Sequence, residues 1–218
     1  MSAPPRVSPF RGQSSRSPLL IVISAPSGGG KTTLCQRLLA AHPNITRAVT
    51  CTTRPPRNGE KEGVDYYFLD AETFRRRAQA GEFLERATVH GNDYGTLKSE
   101  VWDKLRQGKD VLLAIDVQGA AAVRAKADQD LQLKRALVTV FLTPLSVSIL
   151  EERLRRRGTD SEAVIQKRLN GARQEIAEGK YFDYLMISTT VDEDLRRMQV
   201  ILEAEGMRPC RAIPPQTD

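Results

Sequence analysis

Through its first 59 residues the chain carries no acidic side chain at all; Glu60 is the first carboxylate. Every charge before it is Arg or Lys, and that stretch contains both a glycine-rich loop at 25–32 and a basic cluster at Arg54 and Arg57. One-sided charge of this kind suits a small polyphosphate as well as it suits a nucleic acid. Aromatics are scarce, at 6%, and are not interleaved with basic residues as a base-stacking surface requires, so no nucleic-acid partner is expected despite the net charge of +6. Only three cysteines occur, Cys35, Cys51 and Cys210, and with His42 and His90 they make no zinc-ligand spacing. They read as free thiols of a reducing, cytoplasmic compartment. No apolar run approaches the roughly 20 residues that cross a bilayer, so no membrane partner is expected. No internal repeat is present, and 218 residues bound the chain to one sizeable domain.

What is present begins with the apolar run Leu19-Leu20-Ile21-Val22-Ile23, followed directly by Ala25-Pro26-Ser27-Gly28-Gly29-Gly30-Lys31-Thr32-Thr33. A buried strand, a glycine loop, a lysine, a hydroxyl residue and then a helix build a phosphate cradle: glycines let backbone N–H groups converge on phosphate oxygens, and the helix dipole adds to the pull. In such a loop Lys31 reaches the β and γ phosphates and Thr32 ligates Mg²⁺. The apolar stripe Leu34, Leu38 and Leu39 supplies the expected helix, from Thr32 to about Ala41.

The rest alternates between strand and helix. Strands are expected at Thr46 to Val49, Tyr66 to Leu69, within Glu82 to Thr96, at Val111 to Ile115, at Ala136 to Leu142 and at Tyr184 to Ser188. Helices are expected at Ala71 to Ala80, Lys98 to Arg106, Gly119 to Lys126, as a pair split at Gly158, and at Glu193 to Glu205. The Pro- and Gly-bearing stretch Arg54 to Asp65 reads as surface loop. Val111–Ile115 has the continuous apolar character of a central parallel strand, whose carboxyl end would bring Asp116 to the rim that holds the glycine loop. Residues 1–17, rich in Pro, Ser and Arg, read as a disordered tail; Pro4, Pro5 and Pro9 spoil the amphipathic helix of a transit peptide.

A second constellation is more restrictive than the loop. Val49-Thr50-Cys51-Thr52-Thr53-Arg54-Pro55-Pro56-Arg57-Asn58-Gly59-Glu60, with Gly63 and Asp65-Tyr66, resembles the nucleoside-monophosphate segment of guanylate kinases. The resemblance continues through 81–85, 91–96, 115–119 and Arg157-Gly158-Thr159, and covers about residues 19 to 208. It implies an α/β P-loop NTPase fold: a central parallel sheet flanked by helices, a small mixed or antiparallel GMP-binding subdomain, and a helical lid. Within the expected domain at 18–208, the core is 18–49, 97–152 and 175–208, the GMP segment is 50–96 and the lid is 153–174; a C-terminal tail covers 209–218.

The implied activity is phosphoryl transfer from MgATP to GMP, so the implied partners are small molecules. By resemblance Arg54, Arg57, Tyr66 and Tyr94 hold the GMP phosphate, for which guanidinium forks and phenolic hydroxyls are apt donors. Glu85 accepts from guanine N1–H and the 2-amino group, Thr50 and Thr96 lie at the purine O6/N7 edge, and Asp116 stands between guanine and the reacting centre. Arg153, Arg157 and Arg168 match the phosphate-gripping arginines of the lid and, with Lys31 and Arg54, make up the expected catalytic set.

The chain departs from the family pattern at three places. Ala25 stands for the first loop glycine, Ala114 for a first Asp two places before Asp116, and Ser188-Thr189-Thr190 for an Asn-Asp-Asp near the base of ATP. A non-catalytic guanylate-kinase-like interaction module is the rival reading, disfavoured by Lys31, Thr32 and the lid arginines; a kinase for another nucleotide is disfavoured by Glu85 and Asp116. Glu85 also admits a plain reading as a solvated strand-edge charge. Cys51, three residues before Arg54, reads either as a thiol activated by an electropositive site or as an inert packed one.

Overall fold

A computed structural model describes residues 16–89, 91–157 and 161–213. The expectations for residues 1–15, His90, Gly158 and Thr159 fall outside them, as does the side chain of Arg157. The first apolar run forms β1 (Leu20–Ser24), and its parity builds the core. Leu19, Ile21 and Ile23 point into one apolar cluster, Leu20 and Val22 into another, and all five are fully buried. A strand covered on both faces needs a continuous apolar sequence, which is what this one has.

The chain then runs α1 (Lys31–Ala41), β2 (Ile45–Arg47), β3 (Thr50–Thr52), β4 (Tyr66–Phe68), α2 (Ala71–Gln79), β5 (Phe83–Val89), β6 (Asn92–Leu97) and α3 (Lys98–Arg106). It continues through β7 (Asp110–Ala114), α4 (Val117–Ala127), α5 (Leu131–Ala136), β8 (Leu137–Pro144), α6 (Val147–Arg157), α7 (Glu162–Glu178), a 3-10 turn, β9 (Tyr184–Ser188) and α8 (Val191–Gly206). One sheet has five parallel strands in the order β2-β7-β1-β8-β9; the other has four in the order β4-β3-β6-β5, with β3–β4 parallel and the other two pairings antiparallel. This is the expected α/β architecture with a separate mixed sheet. A third apolar cluster, around Leu150, Leu154, Ile165 and Leu169, packs α6 against α7.

Four expectations need correction. The strand expected at Thr46 to Val49 stops at Arg47, because after Ala48 the chain leaves the large sheet and Thr50–Thr52 opens the small one. Helix α5 was not expected; Asp130 caps it by accepting from Gln132 N–H and Leu133 N–H, and Leu133 buries its one face, so β8 starts at Leu137 rather than Ala136. The helix expected at Gly119 to Lys126 starts two residues earlier, as α4, because Asp116 is its N-cap, accepting from Gly119 N–H at 2.8 Å. The packed body also extends beyond 18–208. Arg16 pairs with Asp110 at 2.6 Å, and Arg211 is 3% exposed and paired with Glu205.

Candidate active site

The loop after β1 is shaped by glycine. Gly28 and Gly30 have φ of 85° and 97°, which disfavour any side chain, and a Cβ on Gly29 would stand 2.9 Å from the Pro26 carbonyl that accepts its N–H. Gly30 is the N-cap of α1 and supplies no side-chain cap, so the first N–H groups of the helix stay open for an anion. Lys31 donates to the carbonyl of Ile115 at 2.8 Å, and Ser24 Oγ donates to that of Asp116 at 3.2 Å. The loop and Asp116 therefore share one rim, as expected. Burial lowers the Lys31 pKa, opposed by nearby Cys35, Asp116 and Glu175. Thr32 and Thr33 are exposed at the start of α1.

Glu175, on α7, went unremarked in the sequence. Burial raises its pKa, while Lys31 and a hydrogen bond from the Ser27 N–H lower it. A carboxylate thus faces the loop that the sequence reserves for phosphate. The available signal was its position seven residues, two helical turns, after Arg168. Arg153 lies with Gly28, Gly30 and Thr33 around a cavity of about 320 Å³. Arg168 is half-buried on α7. Arg155 spans the helix pair, reaching Glu162 at 2.7 Å and Glu151 at 2.8 Å.

The small sheet gathers the second set. Thr50 lies opposite Tyr66, Glu85 lies opposite Thr96, and the register that sets Cys51 against Gly95 brings β3 and β6 together between those pairs. Residues spread over 47 positions, from Thr50 to Thr96, thereby form a polar row on one face. Glu85 is 3% exposed and Thr96 fully buried, with the threonine hydroxyl donating to Glu85 Oε1 at 2.7 Å. That excludes the solvated strand-edge reading. Burial pushes the Glu85 carboxyl up to about 6, and the Asp116 charge adds to the shift while the Thr96 bond opposes it. A Cβ on Gly119 would stand 2.8 Å from Glu85 Oε2, so only glycine lets the start of α4 approach so closely. Lys126 donates to the Phe83 carbonyl at 2.6 Å and fixes α4 on β5.

At the other end of the row the aromatic rings of Tyr66 and Tyr94 meet edge to face at 6.1 Å, and the Arg54 guanidinium lies 5.4 Å from the Tyr66 ring centre. Glu60 holds Arg54 through two bonds of 2.8 and 2.9 Å, and its carboxylate also accepts the Arg57 N–H at 2.7 Å. The Arg57 side chain is exposed. Cys51 points the other way. It is fully buried with Phe74 and Phe83 on the apolar face, and burial pushes its thiol up to about 11, so the activated-thiol reading fails on strand parity.

A glycine cradle at the carboxyl rim of a parallel sheet, with a basic helix pair beside it and a polar row around one buried carboxylate on a second sheet, defines a P-loop phosphotransferase with a separate acceptor module. A guanylate kinase family model matches residues 17–205. The chain is 42% identical over 193 residues to the guanylate kinase of Carboxydothermus hydrogenoformans (88% of this chain, 91% of that protein) and 43% identical over 193 residues to that of Symbiobacterium thermophilum (88% of each). The crystal structure of guanylate kinase from Anaplasma phagocytophilum superposes with a TM-score of 0.71 at 36% identity, covering 90% of each chain. The chain belongs to the guanylate kinase family, the nucleoside monophosphate kinases that phosphorylate GMP.

Proposed function

We propose that the chain transfers the γ-phosphoryl group of ATP, bound with Mg²⁺, to GMP or dGMP, through the residues described above. The observation that carries this reading is the buried Glu85–Thr96 pair. A desolvated carboxylate calls for a ligand with donors, and guanine offers N1–H and the 2-amino group where adenine offers neither. AMP would leave Glu85 Oε2 without a donor, Thr96 serving only Oε1, and a polar site built for a missing partner discriminates by about 10⁴. Thr50 sits beside this pair, Asp116 follows it toward the loop, and Tyr66, Tyr94, Arg54 and Arg57 would receive the GMP phosphate.

No general base is needed, because a phosphate monoester has its second pKa near ~6 and the attacking oxygen is already anionic at neutral pH. The task is to hold two polyanions together. Glu60 keeps Arg54 fixed beside the tyrosines, so little side-chain order has to be gained on binding. Lys31, Arg153, Arg157 and Arg168 neutralise charge on the transferring group, and closure of α6 and α7 excludes water. Among the described residues no group of three or more His, Cys, Asp or Glu could cage a metal. The exposed Thr32 hydroxyl fits a Mg²⁺ held through one protein oxygen and the nucleotide phosphates. When bound, the ion supplies further charge neutralisation at the phosphates.

A coupled assay of ADP formation with GMP, dGMP, AMP and UMP tests the reading. GMP and dGMP should be used and AMP and UMP rejected. Comparable rates with AMP would overturn it.

A further inference from the structure

The small sheet is joined to the core by two crossings, and one carboxylate stands between them. The outgoing chain leaves the large sheet after Ala48, whose N–H donates to the Leu112 carbonyl at 2.9 Å, and enters the small sheet at Thr50. It returns after Leu97, where α3 begins. Val101 and Leu105 bury α3 in the core. Glu100 and Lys104, each one residue earlier, form the adjoining stripe and turn to the outgoing crossing. Val49 lies between the two ladders, and Glu100 Oε1 accepts its N–H at 3.0 Å. Lys104 donates to the Arg47 carbonyl at 2.9 Å and pairs with Glu100. From β4 the Tyr67 hydroxyl donates to Glu100 Oε2 at 3.4 Å.

An acid in the first turn of a helix with a lysine four residues on is an ordinary helix stabiliser. The other partners of Glu100 set it apart. Val49 precedes Thr50 and Tyr67 follows Tyr66, and Thr50 and Tyr66 lie opposite each other at the acceptor face. We infer that Glu100 is a positioning residue for phosphoryl transfer: anchored in the core through α3, it holds the small sheet at the setting from which bound GMP faces the glycine loop. This inference rests on the kinase reading of the site. Glu100 acts through the backbone beside Thr50 and the ring beside Tyr66, not by touching substrate. Arg47 supports the same joint, since Lys104 holds its carbonyl while its guanidinium donates to the Asp65 carbonyl at 3.1 Å, just before β4. Transfer depends steeply on such a setting, because a misplacement of about 1 Å costs on the order of 10²-fold.

The test separates reach from charge. Glu100→Gln keeps the length and an acceptor oxygen for Val49, and its amide can donate to the Tyr67 oxygen, but the charge beside Lys104 is gone. Glu100→Asp keeps the charge and is one methylene too short to serve both partners. Glu100→Ala keeps neither. ADP and GDP are measured separately with MgATP and GMP, alongside a thermal melt of each variant. Asp103→Ala, which removes an exposed pair with Arg106 on the same helix, is the control.

The unmodified chain should form ADP and GDP in equal amounts, and Glu100→Gln and Asp103→Ala should match its kcat within about threefold. Glu100→Asp and Glu100→Ala should lose roughly ten- to a hundredfold in kcat for GDP, with KM for ATP unchanged. Both should also form ADP in excess of GDP, as water reaches the misaligned phosphoryl group. A merely structural ion pair predicts the reverse order, with Glu100→Asp near the unmodified chain and Glu100→Gln impaired, and that order would overturn the inference. So would a lowered melting temperature in Glu100→Asp and Glu100→Ala with kcat and the ADP/GDP ratio unchanged. If Glu100→Ala fails to fold, Glu100→Asp and Glu100→Gln decide alone. Absence of GDP from the unmodified chain would overturn the kinase reading, and this inference with it.

Discussion

The two sheets are built to different standards. Both faces of the five-stranded sheet are covered, by α1 and α8 on one side and by α3 and α4 on the other, and its central strand is fully buried. The four-stranded sheet has apolar packing on one face only, around Cys51, Phe74 and Phe83, and gives its other face to Glu85, Thr96, Thr50 and the tyrosines. The first half offers a ligand backbone: glycine N–H groups and a helix terminus that need no side-chain ordering. The second half offers side chains, each held by a partner: Glu85 by Thr96, Arg54 by Glu60. Damage to the first should therefore appear in the rate of transfer, and damage to the second in the choice of acceptor.

The hardest blow to that division is Lys31→Ala. Losing the ammonium should lower kcat by roughly 10²–10³, the usual cost of one preorganised charge-stabilising donor. Because burial already works against the charged lysine, the melting temperature should hold or rise slightly. Steady-state kinetics and a thermal melt check both; a change confined to KM for GMP would break the comparison.

Glu85→Gln comes next. The amide opposes donor to donor at guanine, so kcat/KM for GMP should fall roughly ten- to a hundredfold, with a smaller loss for AMP. An unchanged GMP/AMP ratio would move the reading of guanine to another residue, Asp116 first.

A gentler test uses pH. The folded Glu85 carboxyl titrates at about 6 against an ordinary 4.5. Its contribution to stability is thus most favourable below ~4.5, where both states are protonated, and is lost as pH rises through 6, because the unfolded state releases its proton first. Binding runs the opposite way, since GMP needs the carboxylate. As pH drops below 6, log kcat/KM for GMP should fall with a slope approaching two protons in the unmodified chain, one from Glu85 and one from the GMP phosphate, and approaching one in Glu85→Gln. Equal slopes would count against Glu85 titrating in the site.

The smallest effect is expected at Cys51. Iodoacetamide should modify exposed Cys210 and leave buried Cys51 untouched, with or without GMP, as read by peptide mass mapping. Labelling of Cys51 that GMP suppresses would mean that the thinly packed small sheet opens in solution.

How much of this could be read beforehand follows the same division. The loop and its strand were legible because their pattern is local: an apolar run, three glycines, Lys31. Glu85 and Thr96 were legible only through family resemblance, since their meeting depends on antiparallel pairing of β5 with β6. The side on which Cys51 lies was open to parity, for Thr50 and Thr52 flank it, but a three-residue strand carries too short an alternation to declare itself. Helix α5, with six residues, is likewise too short for a helical period, and only its Asp130 cap announced it. Glu175 gave no sign beyond its helical spacing from Arg168, because what matters about it is the glycine loop that another element brings near.

Arg16 is bridged to Ala212, and the Ser17 N–H donates to the Arg211 carbonyl at 2.9 Å, beside the starts of β1 and β8. The glycine loop leaves β1 at its opposite end. The two ends of the packed body are thus neighbours, remote from the rim where ligands gather, and the path of the chain is almost a ring. Such a ring can be cut elsewhere. Joining residues 16 and 212 by a short linker and opening the chain at exposed Asp128 and Gln129 would give a circular permutant that keeps every strand pairing in both sheets, and with it GMP-dependent ADP formation.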